Sequence, residues 1–223
     1  PSLETAEALL LEAATVNPGF GWVEHSRNVA SAAGHIARSH PDLDETTAYV
    51  FGLLHDIGRR AGYTHNRHIL DGYTYLEILG YTKSARICLT HSFPVRDITY
   101  CVGQWDTTPE EYAFLRDFLQ ATAYDEYDRL LQLCDALALP TGFCLLEKRL
   151  VDVAMRHGIN DTTVARWQAL FDLKAHFDKI IGVSIYTLLP GIVSTTFETG
   201  EFNEPELKAT SGKAHHLNGS SLP

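Results

Sequence analysis

The chain has 223 residues, 45% of them apolar and 21% charged, with a formal net charge of −10 at neutral pH. Those figures fit one globular domain of ordinary to large size with a substantial core. The acidic balance argues against a protein that grips a nucleic-acid polymer by its phosphates; small phosphate ligands stay open, because a bound cation inverts the local field.

Apolar residues recur at three- and four-residue spacing and strand-like alternation is scarce, which predicts an all-α fold of about nine helices. The first runs from about Leu3 to Val16 and ends at Asn17-Pro18-Gly19. The second covers about Gly21 to Ser39. Asp42 or Asp44 caps the third, which ends near Gly58. A fourth covers roughly Asn66 to Leu79, a fifth Lys83 to His91, and a short sixth follows Val95. Pro109 opens a long helix that carries Tyr112 to Leu139 and stops at Pro140. Another spans Thr141 to His157, and Asp161 caps a last one reaching Ile180. Residues 1–190 read as a single domain and 191–223 as an irregular tail, in which His215-His216 is solvated. No apolar run reaches the ~18 residues of a membrane span. Residues 1–5 carry no basic region leading into an apolar stretch, so no secretory signal is read there. Cys88, Cys101, Cys134 and Cys144 form no Cys-x-x-Cys pair and sit among apolar neighbours, as reduced core thiols of a cytoplasmic protein do.

Two places bury an ionisable group in strongly apolar sequence: His55-Asp56, after Phe51-Gly52-Leu53-Leu54, and Asp135, inside Leu130-Leu131-Gln132-Leu133-Cys134-Asp135-Ala136-Leu137. A carboxylate taken out of water needs a counter-charge. With His25, these residues make two His and two Asp, a set that suits one divalent cation. Each also has a plainer reading. His25 or His55 can be a hydrogen-bonded core histidine. Asp56 can be an N-cap. Asp135 can be an N-cap or a partner of Arg129 or Lys148. His68 and His91, both at helix ends, fit a second ion, with Asp56 as the bridge. His65 lies close enough to assist or replace His68. Arg59 suits a phosphate; Arg60 does so less well, and both can instead be a solvated basic helix end. Lys148 and Arg149 read as a surface face.

The order His25, His55-Asp56-Ile57-Gly58, His68-x-x-x-Gly72, His91 and Asp135 resembles the HD-domain superfamily of metal-dependent phosphohydrolases over about residues 21–139. The resemblance implies a helical bundle whose core metal site uses His25, His55, Asp56 and Asp135, with His68 and His91 completing a second site in two-metal members. Two departures stand out. Some relatives continue the motif with Gly-Lys where this chain has Gly58-Arg59. Many place a second His beside the equivalent of His91, where this chain has Thr90 and Ser92.

The expected activity is hydrolysis of a phosphate ester or phosphoanhydride of a small metabolite or nucleotide by metal-activated water. Asp56 and His68 would act catalytically and Arg59 would bind substrate. One or two ions of Fe, Mn, Mg, Zn or Ni are required. Two other readings stay open: a di-iron oxygenase of the same superfamily acting on an organophosphonate or polyol, and a non-catalytic nucleotide-sensing module. No membrane partner is expected.

Overall fold

A computed structural model describes residues 1–197; the His215-His216 tract lies outside the described residues. The order is α1 (Leu3–Val16), α2 (Trp22–Ser39), α3 (Glu45–Leu54), α4 (Arg67–Ile78), α5 (Thr82–Thr90), α6 (Pro109–Ala121) and α7 (Glu126–Leu137). A two-residue hairpin follows, β1 (Ala138–Leu139) against β2 (Gly142–Phe143), then α8 (Leu146–His157), α9 (Thr163–Ile181) and α10 (Ile192–Phe197). The fold is therefore all-α, with ten α-helices among the described residues.

Local chemistry explains where the helices fall. Asp44, not Asp42, caps α3 by accepting the Thr47 amide hydrogen. The long helix expected after Pro109 is two. Asp125 accepts the amides of Tyr127 and Asp128, and Asp128 returns the bond to the Asp125 amide, so a capping box starts α7 afresh. The helix expected from Thr141 begins at Leu146, because residues 138–143 pair as the hairpin; Pro140 disfavours helix at Leu139. The sixth helix expected after Val95 shrinks to a 3-10 turn, Ile98–Tyr100. Helix α9 starts after Thr162, while Asn160 accepts the Thr162 amide, so Asp161 is not the cap. Residues 192–197, assigned by sequence to the irregular tail, form α10, with Ile192 and Thr196 buried.

Three apolar clusters hold the helices together. One joins α2, α3, α7, α8 and α9; a second joins α1 to α5; a third lies between α4, α5 and α6. Glycines set the closest approaches. A Cβ on Gly52 would fall 2.6 Å from the Ala30 amide nitrogen, so α3 can meet α2 backbone to backbone only without one. A Cβ on Gly58 would collide with the His68 carbonyl oxygen and the Gly72 amide nitrogen. Gly58 lies in the 3-10 turn Ile57–Ala61 that follows Asp56, so the missing side chain lets that turn lie directly on α4 and brings Asp56 to His68. Between α5 and α7, fully buried Asp128 takes the Arg86 guanidinium and the Thr90 hydroxyl (2.8 Å), and Gln132 donates to the Thr90 carbonyl (3.1 Å). Thr90 thus clamps the end of α5 to α7.

Replacing Gly58 by Ala is expected to cost about 1–3 kcal/mol through overpacking, with the 3-10 turn pushed off α4. Urea unfolding of wild type and Gly58→Ala measures it; a difference below about 0.5 kcal/mol would mean that the turn relaxes without strain.

Candidate metal centre

Five helices deliver one side chain or one pair each to a single point. His25 comes from the second turn of α2, His55 and Asp56 from the end of α3, His68 from the first turn of α4, His91 from the end of α5 and Asp135 from the last turn of α7. His55, Asp56, His68 and His91 are buried, and Asp135 forms part of the floor of a cleft, its side chain 27% exposed.

Backbone carbonyls orient three of the imidazoles. His55 Nδ1 donates to the Gly52 carbonyl (2.7 Å), His68 Nδ1 to the His65 carbonyl (2.5 Å) and His91 Nδ1 to the Cys88 carbonyl (2.9 Å). A carbonyl only accepts, so each Nδ1 carries the proton and each Nε2 presents a lone pair inward. Burial, the largest influence on all three, pushes their pKa values down and favours the neutral ring.

The lone pairs face carboxylates. His55 Nε2 lies 3.8 Å from Asp135 Oδ1 and 3.9 Å from Asp56 Oδ2; His68 Nε2 lies 3.2 Å and His91 Nε2 3.6 Å from Asp56 Oδ1. His25 Nε2 is 2.9 Å from Asp135 Oδ1. Burial raises the pKa of both carboxyls, but a partner outweighs it in each case: the Arg59 guanidinium holds Asp56 well below the usual range, and His25 does the same for Asp135. Both are therefore anionic. His55 Nε2 and Asp56 Oδ1 are buried with no hydrogen-bond partner. Neutral nitrogen lone pairs converging on two carboxylates repel unless a cation lies among them. The donor set, imidazole nitrogen and carboxylate oxygen, is the one that divalent transition ions accept.

Donor atoms within 4.8 Å of one another form two groups, His25 with His55 and Asp135, and His55 with Asp56 and His91. His55 belongs to both. His91 therefore sits with the central residues rather than apart with His68. His68 falls outside both groups and meets Asp56 Oδ1 alone. Beside it, Arg59 Nε donates to Asp56 Oδ2 (2.5 Å) and Nη2 to His68 Nε2 (3.3 Å). Arg60 turns away, to Glu12 (2.7 Å) and over the Tyr75 ring (4.3 Å). The alternative partners for Asp135 are engaged elsewhere, Arg129 with Glu126 and Lys148 with Asp152.

The centre opens into a cavity of about 460 Å³. His65 lines it, but its backbone does the work, the carbonyl orienting His68 and the amide donating to Asp106 (2.8 Å). Cys101 lines it as a thiol that burial pushes up to about 12, too high for a nucleophile at neutral pH. All four cysteines are free. Arg149, placed by sequence on a surface face, lines this cavity, as do Arg156 and Arg166, which sequence reasoning missed. The available signal was the seven-residue spacing of Arg149 and Arg156, which puts both on one helix face.

In this all-helical protein, His and Asp side chains from five helices meet at one buried point that could hold a divalent metal ion. The protein's family model, the HD domain, matches residues 22–139, more than half of the chain. The chain belongs to the HD domain family. A search of curated proteins gave no match, and neither did a search of solved structures. Among the described residues no helix is long and apolar enough to cross a membrane.

A divalent ion bound here stabilises the fold by about 4 kcal/mol at a thousandfold excess over its dissociation constant. Chelator should therefore lower the melting temperature of metal-loaded wild type and leave Asp135→Ala unmoved. Equal chelator responses in the two proteins would remove Asp135 from the ligand set.

Proposed function

We propose that this protein is a phosphohydrolase acting on a small phosphorylated metabolite or nucleotide. The observation that carries it is the convergence of three carbonyl-oriented imidazoles on two anionic carboxylates, with the Arg59 guanidinium in the same cleft. His25, His55, Asp56, His91 and Asp135 would hold the first divalent ion, and Asp56 with His68 a second. When bound, the metal supplies Lewis acidity, which acidifies water and polarises a phosphoryl oxygen.

The remaining work falls to the chain. Asp56 is the hub, since its Oδ1 faces His68 and His91 while its Oδ2 faces His55 and Arg59. Arg59 supplies the positive charge in the angle between Asp56 and His68. A guanidinium is a planar double donor matched to phosphate oxygens. A metal held by Asp56 would take over part of that carboxylate's charge, leaving the Arg59 guanidinium available to a substrate phosphate. The apolar walls behind His55 and His91 exclude water from the far side of the centre. Residues 1–197 fit a single domain, with the cleft between the α1–α7 bundle and the α8–α9 pair.

The test is phosphate release from a panel of phosphorylated metabolites by protein reconstituted with Mn, Fe, Mg, Zn or Ni, with Asp135→Ala as the inactive control. Release from at least one substrate is expected. No release with any metal would reject the reading, and oxygen uptake on a phosphonate would replace it with oxygenase chemistry.

Two variants separate the roles. Arg59→Gln should lower kcat/KM by about a hundredfold, the usual scale for losing one preorganised donor to a developing charge. The same variant should tighten the second metal step by about tenfold, equivalent to about 1.4 kcal/mol, because a competing cation is gone. Metal titration of apo protein should show two steps in wild type and only the tighter one in His68→Ala. Equal stoichiometry in both would assign His68 to the substrate instead.

A further inference from the structure

The cleft has a second wall that the family segment does not contain. Arg149 and Arg156 on α8 and Arg166 on α9 all follow residue 139, and all three line the cavity over the His/Asp centre. Their pairing is unlike that of the other arginines. Arg27, Arg38, Arg59, Arg60, Arg67, Arg86, Arg116 and Arg129 each meet a carboxylate within 4.0 Å, and Arg96 donates to the Thr122 carbonyl (3.0 Å). Among the described residues, no carboxylate lies that close to Arg149, Arg156 or Arg166. The Nε atoms of Arg149 and Arg166 are buried with no hydrogen-bond partner, and Arg156 Nε reaches only the Asp152 carbonyl at 3.4 Å.

Three mutually repelling cations, two with buried unsatisfied donors, are costly unless an anion joins them. Burial, then the neighbouring Arg149, pushes the Arg156 guanidinium below its usual pKa; burial does the same to Arg166. The cost is set against a chain whose net charge is −10, so this local excess of positive charge is not a general feature of the surface. At the His/Asp centre, the phosphate to be cleaved would have Arg59 and a bound metal ion for its charge. Arg149, Arg156 and Arg166 come from α8 and α9, beyond the segment that carries the His/Asp centre, and bring more positive charge than one phosphate so served needs. Guanidinium groups bind phosphate through paired N–H donors. A cavity of about 460 Å³ is of metabolite size.

We propose that the substrate is a small molecule with two phosphate groups, one at the His/Asp centre and the other seated on Arg149, Arg156 and Arg166. This rests on the phosphohydrolase reading, naming the substrate class of that same site.

The test measures binding, not turnover. Calorimetry on metal-loaded protein compares inorganic pyrophosphate and the bisphosphates of linear three- to six-carbon diols with the matching diol monophosphates. At least one bisphosphate should bind a hundredfold or more tighter than its monophosphate. Arg149→Gln/Arg166→Gln should reduce that advantage below tenfold while leaving monophosphate and metal affinity unchanged. Arg156→Gln, at an exposed position that tolerates substitution, should reduce it by at least threefold and stands in if the double variant fails to fold. The proposal is overturned if no bisphosphate exceeds its monophosphate by threefold, or if the advantage survives the arginine variants. Failure of every phosphate to be hydrolysed would reject the phosphohydrolase reading alone, because the binding comparison does not depend on turnover.

Discussion

The burial of Asp56 is the constraint around which the rest of the molecule is arranged. Its side chain is 5% exposed, and an isolated carboxylate at that depth costs several kcal/mol. The chain answers with positive or cation-seeking groups from separate helices: Arg59 from the same turn, His55 beside it, His68 from α4 and His91 from α5. Each must arrive within a few ångströms, so the packing of α3, α4 and α5 is fixed by electrostatics as well as by apolar burial. The two close-approach glycines serve this requirement. Gly52 lets α3 sink onto α2, which carries His25, and Gly58 lets the turn after Asp56 lie on α4, which carries His68.

Much of this was legible in the sequence, because burial of charge leaves a local trace. Asp135 stands among Leu, Cys and Ala, and His55-Asp56 follows four apolar or small residues; both stand out without knowledge of the fold. The fold class and the bounds of α1, α2, α4 and α5 follow from periodicity and from Pro and Gly punctuation. The break between α6 and α7 did not, since the capping box at Asp125 competes with residues of fair helix propensity on either side. The hairpin at 138–143 was hidden for a similar reason: two residues per strand are too few for any alternation to register.

The grouping of these side chains was less accessible than their presence near one point. Sequence order sets His68 and His91 together as a later pair, but the structure puts His91 with His55 and Asp56, because α5 ends directly against α7 through Thr90, Asp128 and Gln132. The arginine wall was least accessible of all. Arg149, Arg156 and Arg166 lie on two helices beyond the matched family segment, and only the return of α8 and α9 over α7 turns them toward the centre.

The histidines that bond backward to their own helices have a double occupation. His55 takes the Gly52 carbonyl at the end of α3, and His91 takes the Cys88 carbonyl at the end of α5, acceptors of the kind that a helix terminus leaves without an intrahelical donor. These imidazoles finish a helix as well as face the carboxylates of the centre. A descendant of this chain that abandoned chemistry would keep selection on both for the sake of folding. Among the described residues the Asp135 side chain makes one hydrogen bond, to His25, and has no part in ending a helix. A substitution at His55 or His91 therefore disturbs a helix end together with the centre, whereas one at His25 or Asp135 reaches the centre and leaves the helix ends as they are.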